Sequence, residues 1–255
     1  MNTFDANSWI GRWPFAFVAE HTAQSLREEL REHGIGQALV SPLDAVFAPE
    51  PGPANRALLH ATRATPQLEP VPIINPALAN WREELDAAAA DERVRAVRVL
   101  PSYHNFRLTG AAMAAVGAAL VERKLRLIVQ VRLIDERHEF HALNLKPVAV
   151  ASLAAFLTKT KGAPLLACGL LRSEVLELAP RFSGLHADTT FAEWHDTLPH
   201  LLAKVPVEQL VFGSGTPILI TAASLAKLAT AKVAARVRAK VAARNLEKFL
   251  GRRRA

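Results

Sequence analysis

Short apolar runs alternate with Ala-rich stretches of helical period along the chain, and this alternation restricts the fold more than any other feature. Runs such as QALVSP (37–42) and LRLIVQVRL (125–133) are rich in Leu, Ile and Val, which is typical of strands buried in a parallel sheet. Each run precedes a stretch that favours a helix, as βα units do. Strands are predicted at residues 3–8, 37–42, 68–76, 94–103, 125–133, 163–169, 184–190 and 209–215.

Eight βα units in a chain of 255 residues favour a closed barrel. A TIM barrel typically occupies about 250 residues, so we predict an α/β fold, a (β/α)8 TIM barrel forming a single domain over residues 1–255. An open sheet that binds a dinucleotide is the weaker interpretation, because no glycine fingerprint follows the first strand.

Composition and cysteine content indicate a soluble protein of the cytoplasm. Apolar residues make up 50% of the chain, which supplies a large core. Cys168 is the lone cysteine, so an intramolecular disulfide is excluded and a reducing compartment is expected. The N-terminus lacks the pattern of a secretory signal, and the longest apolar run, residues 111–121, is too short to cross a bilayer. We therefore predict a cytoplasmic location and no membrane span.

The net charge of +7 is concentrated near the C-terminus. Residues 227–255 carry ten Lys and Arg against one acid, Glu247. Apolar residues recur there at helical spacing, so residues 222–255 are predicted to form basic helices packed on the barrel. A surface for nucleic acid or an anionic membrane is the alternative. Only Phe249 places an aromatic ring among these charges and no nucleic-acid motif is found, so the sequence argues against a nucleic-acid partner.

Five segments carry motif-like residues at predicted strand ends and in the last helix: FDANSWIG (4–11), VRAVRVLPSY (94–103), LACG (166–169), LVFGSGTP (210–217) and ARNLEKFLG (243–251). Their order and spacing resemble those of the amidohydrolase-related branch of the amidohydrolase superfamily, over nearly the whole chain. That branch includes metal-dependent hydrolases, aminocarboxymuconate-semialdehyde decarboxylase and pyrone-dicarboxylate lactonase. The resemblance implies a TIM barrel whose site lies at the carboxyl ends of the strands.

The positions at which this family has metal ligands hold other residues in this chain. The resemblance implies two histidines in the first strand, one at the end of each of the fifth and sixth strands, and an aspartate after the eighth. The residues at these positions are Asn7, Trp9, Gln130, Cys168 and Gly215. A catalytic zinc ion requires about three protein ligands, and Asn, Gln, Trp and Gly do not supply them. We therefore predict neither a metal site nor another cofactor.

Arginines recur at predicted strand ends, on the face where a TIM barrel has its site. Arg98 and Arg132 lie on the fourth and fifth strands, and Arg172 follows the sixth. A guanidinium group binds a carboxylate or phosphate through two hydrogen bonds, so these residues predict a pocket for a small organic anion. The alternative is that they pair with Asp135, Glu136 and neighbouring acids at the rim. The predicted substrate-binding residues are Arg98, Arg132, Tyr103, His104, Asn7, Gln130 and Cys168.

Two sets of titratable residues offer other chemistry. Cys168, His186 and Asp188 form a Cys-His-Asp set if the ends of the sixth and seventh strands converge; packing of a buried thiol is the competing interpretation. His138 and His141 share a metal ion if they lie on one helix; a mobile lid is the competing interpretation. The sequence therefore assigns no catalytic residue.

Three hypotheses for the function follow, the third of which is a basic interaction module that acts through residues 227–255. The first is a metal-independent enzyme, a hydrolase or lyase of amidohydrolase type, that acts on a small carboxylate-bearing substrate held by Arg98 and Arg132 at the barrel mouth. The second is a non-catalytic pseudoenzyme that binds a small anion or a protein partner. Fold alone does not decide between catalysis and binding. The substrate, a homo-oligomeric state and the role of the basic C-terminal segment stay open.

Overall fold

The computed structural model describes residues 2–15 and 21–251. Its strands are β1 Phe4–Ile10, β2 Gln37–Pro42, β3 Leu68–Pro70, β4 Ala96–Val99, β5 Arg126–Gln130, β6 Leu165–Cys168, β7 Leu185–Asp188 and β8 Leu210–Val211. They form two parallel sheets, ordered β1-β2-β3 and β4-β5-β6-β7-β8. Each strand pairs with its neighbour in sequence, as consecutive βα units require.

Backbone hydrogen bonds at the two seams between these sheets close the ring. At the first seam, the N–H of Arg98 on β4 donates to the carbonyl oxygen of Pro72, and its own carbonyl oxygen accepts from the N–H of Ile74, both at 2.9 Å. At the second seam, the N–H of Ala6 on β1 donates to the carbonyl oxygen of Phe212, just after β8, at 2.9 Å. The predicted (β/α)8 TIM barrel is therefore confirmed.

Helices follow the strands and cover the outside of the barrel. They are α1 Ala23–Glu32, α2 Gly52–Ala61, α3 Trp81–Ala89, α4 Ala111–Glu122, α5 Val150–Lys159, α6 Arg172–Leu178, α7 Thr197–Leu202, α8 Thr221–Ala229, α9 Ala235–Ala239 and α10 Asn245–Leu250. A π-helical segment, Lys240–Arg244, joins α9 to α10. Within the part of the chain that the structure describes, every helix is too short or too polar to traverse a lipid bilayer.

Three elements differ from their predicted form. Strand β3 ends at Pro70, earlier than predicted: the N–H of Val71 still donates to Val40 on β2, but that of Ile73 donates to the side chain of Asn55 instead. Helix α7, which the sequence pattern predicts over residues 191–202, begins only at Thr197, and Asp196 before it has a left-handed backbone with φ of 67°. Asn80, a residue type that predicts an N-cap, precedes α3 but its side chain makes no capping hydrogen bond, since its backbone is not in the extended conformation that an N-cap requires.

The barrel interior is built in layers. On β4, Ala96 belongs to a lower apolar cluster and Leu100, just beyond the strand, to an upper one. Because alternate residues of a strand face the same side, Arg98 between them points into the barrel at mid-height. Helix α10 contributes Leu246 and Phe249 to the lower cluster. The upper cluster consists of Trp9, Trp13, Leu43, Ala45, Val46, Ile73, Leu100, Leu133 and Ile134.

Candidate functional site

Arg98 lies at the centre of the barrel mouth and is completely buried, with 0% of its surface exposed. Its Nη1 donates to Asn7 Oδ1 at 2.7 Å and to Gln130 Oε1 at 2.8 Å, and its Nη2 donates to the carbonyl oxygen of Ala6 at 3.2 Å. The ring of Trp9 lies 4.4 Å from the guanidinium carbon, an arrangement that attracts a cation to the ring face. Strands β1, β4 and β5 therefore converge on one positive charge.

Asp188, at the end of β7, is a buried carboxylate linked to this group through Asn7, which bonds to both. It accepts hydrogen bonds from Asn7 Nδ2 at 2.9 Å, from the N–H of Gly169 at 2.9 Å and from Thr190 Oγ1 at 2.5 Å. Burial raises the pKa of Asp188, while these donors and the charge of Arg98 act against that rise. Burial and the nearby Asp188 raise the pKa of the Cys168 thiol well above its ordinary value, so this thiol is protonated and unreactive at neutral pH.

Asp5 is a second buried carboxylate, and the hydroxyl-rich loop after β8 surrounds it. Ser214 donates to Asp5 through both its N–H, at 2.9 Å, and its Oγ, at 2.5 Å, and Ser8 Oγ donates at 2.5 Å. The Oγ of Ser214 lies 2.6 Å from Thr216 Oγ1, which lies 2.7 Å from Thr221 Oγ1. The loop residues that the sequence places at a strand end therefore form a structural network around a carboxylate.

The fold family implies a divalent metal ion at this end of the barrel, and the residues present do not fit one. The oxygens of Asn7 and Gln130 both accept from Arg98. Gly215 has a φ of 76°, a conformation that other residues rarely adopt, and an added Cβ would lie 2.9 Å from Leu219 Cδ1, so an aspartate at this position would be strained. No cluster of three His, Cys, Asp or Glu side chains suited to a metal ion occurs among residues 2–15 and 21–251. The amide oxygens of Asn7 and Gln130 therefore suit a guanidinium group, which donates hydrogen bonds, rather than a metal ion.

The seven predicted substrate-binding residues separate into two groups. Asn7, Arg98 and Gln130 meet in the buried network, and Cys168 lies beside Gln130 in the β5–β6 pairing. The other three are Arg132, Tyr103 and His104, and each has a different partner outside the network.

Arg132 forms a two-pronged ion pair with Glu174, with nitrogen–oxygen distances of 2.7 and 3.0 Å. Tyr103 donates to Glu139 at 3.4 Å, and His104 Nε2 lies 3.1 Å from the carbonyl oxygen of Ala45. The crevice between Tyr103 and Arg132 measures about 10 Å³, room for about one water molecule. A role for these residues in binding a substrate stays a prediction.

The Cys168, His186 and Asp188 side chains do not form a catalytic set. His186 and Asp188 face the same side of β7, but two residues along a strand separate them by about 6.6 Å. His186 therefore lies in the lower layer, where its ring centroid is 5.1 Å from that of Phe249. His138 and His141 also lie apart, on two separate 3₁₀ turns, Glu136–His138 and His141–Leu143.

A cavity of about 360 Å³ opens at the rim of the mouth, beside the buried network. Its polar lining includes the acids Asp135 and Glu193 as well as Arg137 and Arg172. The Nη1 of Arg172 lies 2.8 Å from His200 Nε2, and its guanidinium carbon lies 4.2 Å from the Trp194 ring. Trp194 is 48% exposed and Arg172 is half-buried, so this pair is partly open to solvent. The cavity is lined by Asp135, Arg137, His138, Leu171, Arg172, Ser173, Phe191, Glu193, Trp194 and Leu219.

Sequence reasoning identified Arg172 but missed Trp194 and His200, its two neighbours in the structure. The signal available was a tryptophan in the loop after a predicted strand end, which is where barrel sites are built. Predicting a helix over this loop concealed it, because a helix would have placed Trp194 on an outer surface.

No protein-family model matches the chain, and no curated protein matches it by sequence. Solved structures do match. A 2,6-dihydroxybenzoate decarboxylase from Rhizobium has a TM-score of 0.76 and 10% identity, over 98% of each chain. A 5-carboxyvanillate decarboxylase from Novosphingobium aromaticivorans, complexed with manganese and 4-hydroxy-3-methoxy-5-nitrobenzoic acid, has a TM-score of 0.78 and 11% identity, over 98% of this chain and 96% of that one. A dihydroxybenzoic acid decarboxylase from Polaromonas sp. JS666, with bound manganese and the inhibitor 2-nitroresorcinol, has a TM-score of 0.73 and 12% identity, over 98% and 97%.

These similarities confirm the resemblance to amidohydrolase-superfamily barrels at the level of the fold. At such low identities they do not establish a shared reaction, because one fold hosts many activities.

Proposed function

We propose that this protein is a non-catalytic amidohydrolase-like barrel that binds a small organic anion, best an aromatic carboxylate, in the cavity at the rim of its mouth. The observation that carries the proposal is the position of Arg98. Its buried guanidinium occupies the centre of the mouth and engages Asn7 and Gln130, the residues that stand at two of the family's ligand positions. A substrate cannot reach the centre while this group and Trp9 fill it.

The rim cavity has the size and chemistry for such a ligand. Its volume of about 360 Å³ lies in the range of small-molecule pockets, roughly 300–1,000 Å³. Arg172 offers a guanidinium group, and Trp194 and Phe191 offer aromatic surface for a ring to contact. The solved structures with this fold include complexes with 2,6-dihydroxybenzoate and with a nitrobenzoic acid, which supports an aromatic carboxylate as the first ligand class to test.

The metal-independent hydrolase or lyase remains a hypothesis that the contacts do not favour. The titratable groups in the buried network are Asp5, Cys168 and Asp188, and burial raises the pKa of each. Both carboxylates accept several internal hydrogen bonds. Neither is placed to attack a substrate or to take up its proton.

Titration calorimetry with 2,6-dihydroxybenzoate and benzoate tests the proposal. Arg172→Ala should weaken binding about tenfold, the loss expected for one charge-assisted hydrogen bond. Arg181→Ala is the matched control, since Arg181 pairs with Glu177 at 3.6 Å and does not line the cavity. Equal affinities for the wild type and Arg172→Ala would contradict the rim site. Loss of the ligand's carboxyl group during incubation with the wild-type protein, followed by NMR, would contradict the non-catalytic assignment.

A further inference from the structure

The buried cation at the barrel mouth raises the question of what holds this end of the fold together without a metal ion. We propose that the guanidinium of Arg98 is the permanent cation of this site, held by the oxygens of Asn7 and Gln130, which stand at positions where the family resemblance implies metal ligands. This inference concerns the centre of the mouth and does not rest on the ligand proposed for the rim cavity.

The oxygens around Arg98 are oriented for a hydrogen-bond donor. Gln130 directs its Nε2 to the carbonyl oxygen of Arg132 at 2.8 Å, which turns its Oε1 toward Arg98. Asn7 directs its Nδ2 to Asp188 at 2.9 Å, which turns its Oδ1 the same way. Each amide therefore has its donor occupied elsewhere and its acceptor on the guanidinium.

Charge supports the same assignment. Asp5 and Asp188 are both buried, with 0% and 1% of their surfaces exposed, and buried carboxylates need a compensating charge. The Arg98 side chain reaches β1 through its hydrogen bonds to Asn7 and Ala6, and its electrostatic interactions are with Cys168, Asp188 and Asp5. The Arg98 guanidinium therefore supplies the positive charge near these carboxylates that a bound metal ion supplies in a metal-binding barrel.

Trp9 makes the site specific for this cation. Its ring lies 4.4 Å above the guanidinium carbon, and its Nε1 donates to Asn7 Oδ1 at 3.0 Å. A flat delocalised cation stacks on such a ring, whereas a divalent metal ion needs its coordination sphere filled by ligand atoms. The tryptophan stands at a position where the family resemblance implies a histidine ligand, so the substitution removes a metal ligand and adds a surface for a guanidinium.

Chemical rescue tests this assignment directly. Arg98→Ala should leave a guanidinium-shaped hole and lower Tm by on the order of 10 °C, the shift expected for breaking a buried charge network. Millimolar guanidinium chloride should then raise the Tm of Arg98→Ala in a saturable manner while leaving the wild type unchanged. Urea, a neutral molecule of the same shape, is the control ligand and should give no rescue. A folded Arg98→Ala protein that guanidinium does not stabilise, or that urea stabilises equally, overturns the proposal.

Two further variants keep the test decisive if Arg98→Ala does not fold. Arg98→Lys retains the positive charge, and Arg98→Met retains much of the volume without it. The Lys variant should have the higher Tm, and the reverse order overturns the proposal. Adding manganese chloride to the wild type should leave Tm unchanged; a saturable rise with one ion bound per chain also overturns it.

Discussion

The centre of the barrel mouth and the cavity at its rim each place an arginine on a tryptophan, and the two pairs have opposite surroundings. Arg98 lies 4.4 Å from the Trp9 ring and Arg172 lies 4.2 Å from the Trp194 ring. Trp9 is fully buried, whereas Trp194 is 48% exposed. The inner arginine has both of its terminal nitrogens bonded to oxygens of the protein, whereas the outer one is half-buried and contacts His200 at the edge of a cavity. Burial and partners, not residue type, decide which arginine can take a ligand.

The largest effect should come from removing a carboxylate at the centre. Asp188→Ala removes the acceptor of three hydrogen bonds and leaves the charge of Arg98 less compensated, which should lower the free energy of unfolding by about 3–5 kcal/mol. Asp135→Ala at the rim is the control and should cost far less, because the partner of Asp135 is the exposed Arg137. Urea unfolding measures both. Similar losses for the two variants would show that the centre is no more tightly built than the rim.

Next in size is the pair of tryptophan substitutions. Trp9→Phe removes the hydrogen bond to Asn7 and weakens the attraction for the buried guanidinium, for an expected loss of about 1–3 kcal/mol. Trp194→Phe should leave unfolding nearly unchanged and should alter the binding of an aromatic carboxylate instead. Denaturant unfolding and calorimetry of both proteins separate the two roles. A larger loss of stability in Trp194→Phe than in Trp9→Phe would contradict the assignment of the structural role to Trp9.

The smallest predicted effect is a difference in carboxyl titration. Burial raises the pKa of Asp188, whereas the hydrogen bond from Arg137 lowers the pKa of Asp135 to about 2. A raised pKa means that Asp188 favours folding most below pH 3.8, its ordinary value, and that this contribution is lost as pH rises through the raised pKa. Asp135 favours folding above pH 3.8, and this contribution is lost as pH falls through about 2. Carbon-13 NMR of the carboxyl groups should find the two midpoints on opposite sides of 3.8.

The fold could be predicted because it follows from local pattern. Alternating apolar strands and Ala-rich helices specify βα units, and right-handed connections leave few ways to arrange eight of them. The same reasoning placed Asn7 and Gln130 near the centre of the mouth, since both lie on strands and the family resemblance aligns them.

The candidate site was less predictable because its contacts join residues that are distant in sequence. Arg98 meets Asn7 across 91 positions, and Arg132 meets Glu174 across 42. Sequence pattern shows that an arginine lies on a strand. It does not show which layer of the barrel interior the side chain occupies, or whether an acidic side chain lies close enough to pair with it. The rim cavity depends on where α7 begins, and helix boundaries are set by loop geometry that composition does not encode.

The most direct test of the closed centre is hydrogen exchange of the arginine side chains, followed by nitrogen-15 NMR. The guanidinium N–H signals of Arg98, identified by their loss in Arg98→Lys, should exchange far more slowly than those of the exposed Arg137. Slow exchange is the predicted result, because the Arg98 group is buried beneath Trp9 and bonded to Asn7, Gln130 and Ala6. Exchange as fast as that of Arg137 would mean that water reaches the centre of the mouth, and a permanent internal cation there would be contradicted.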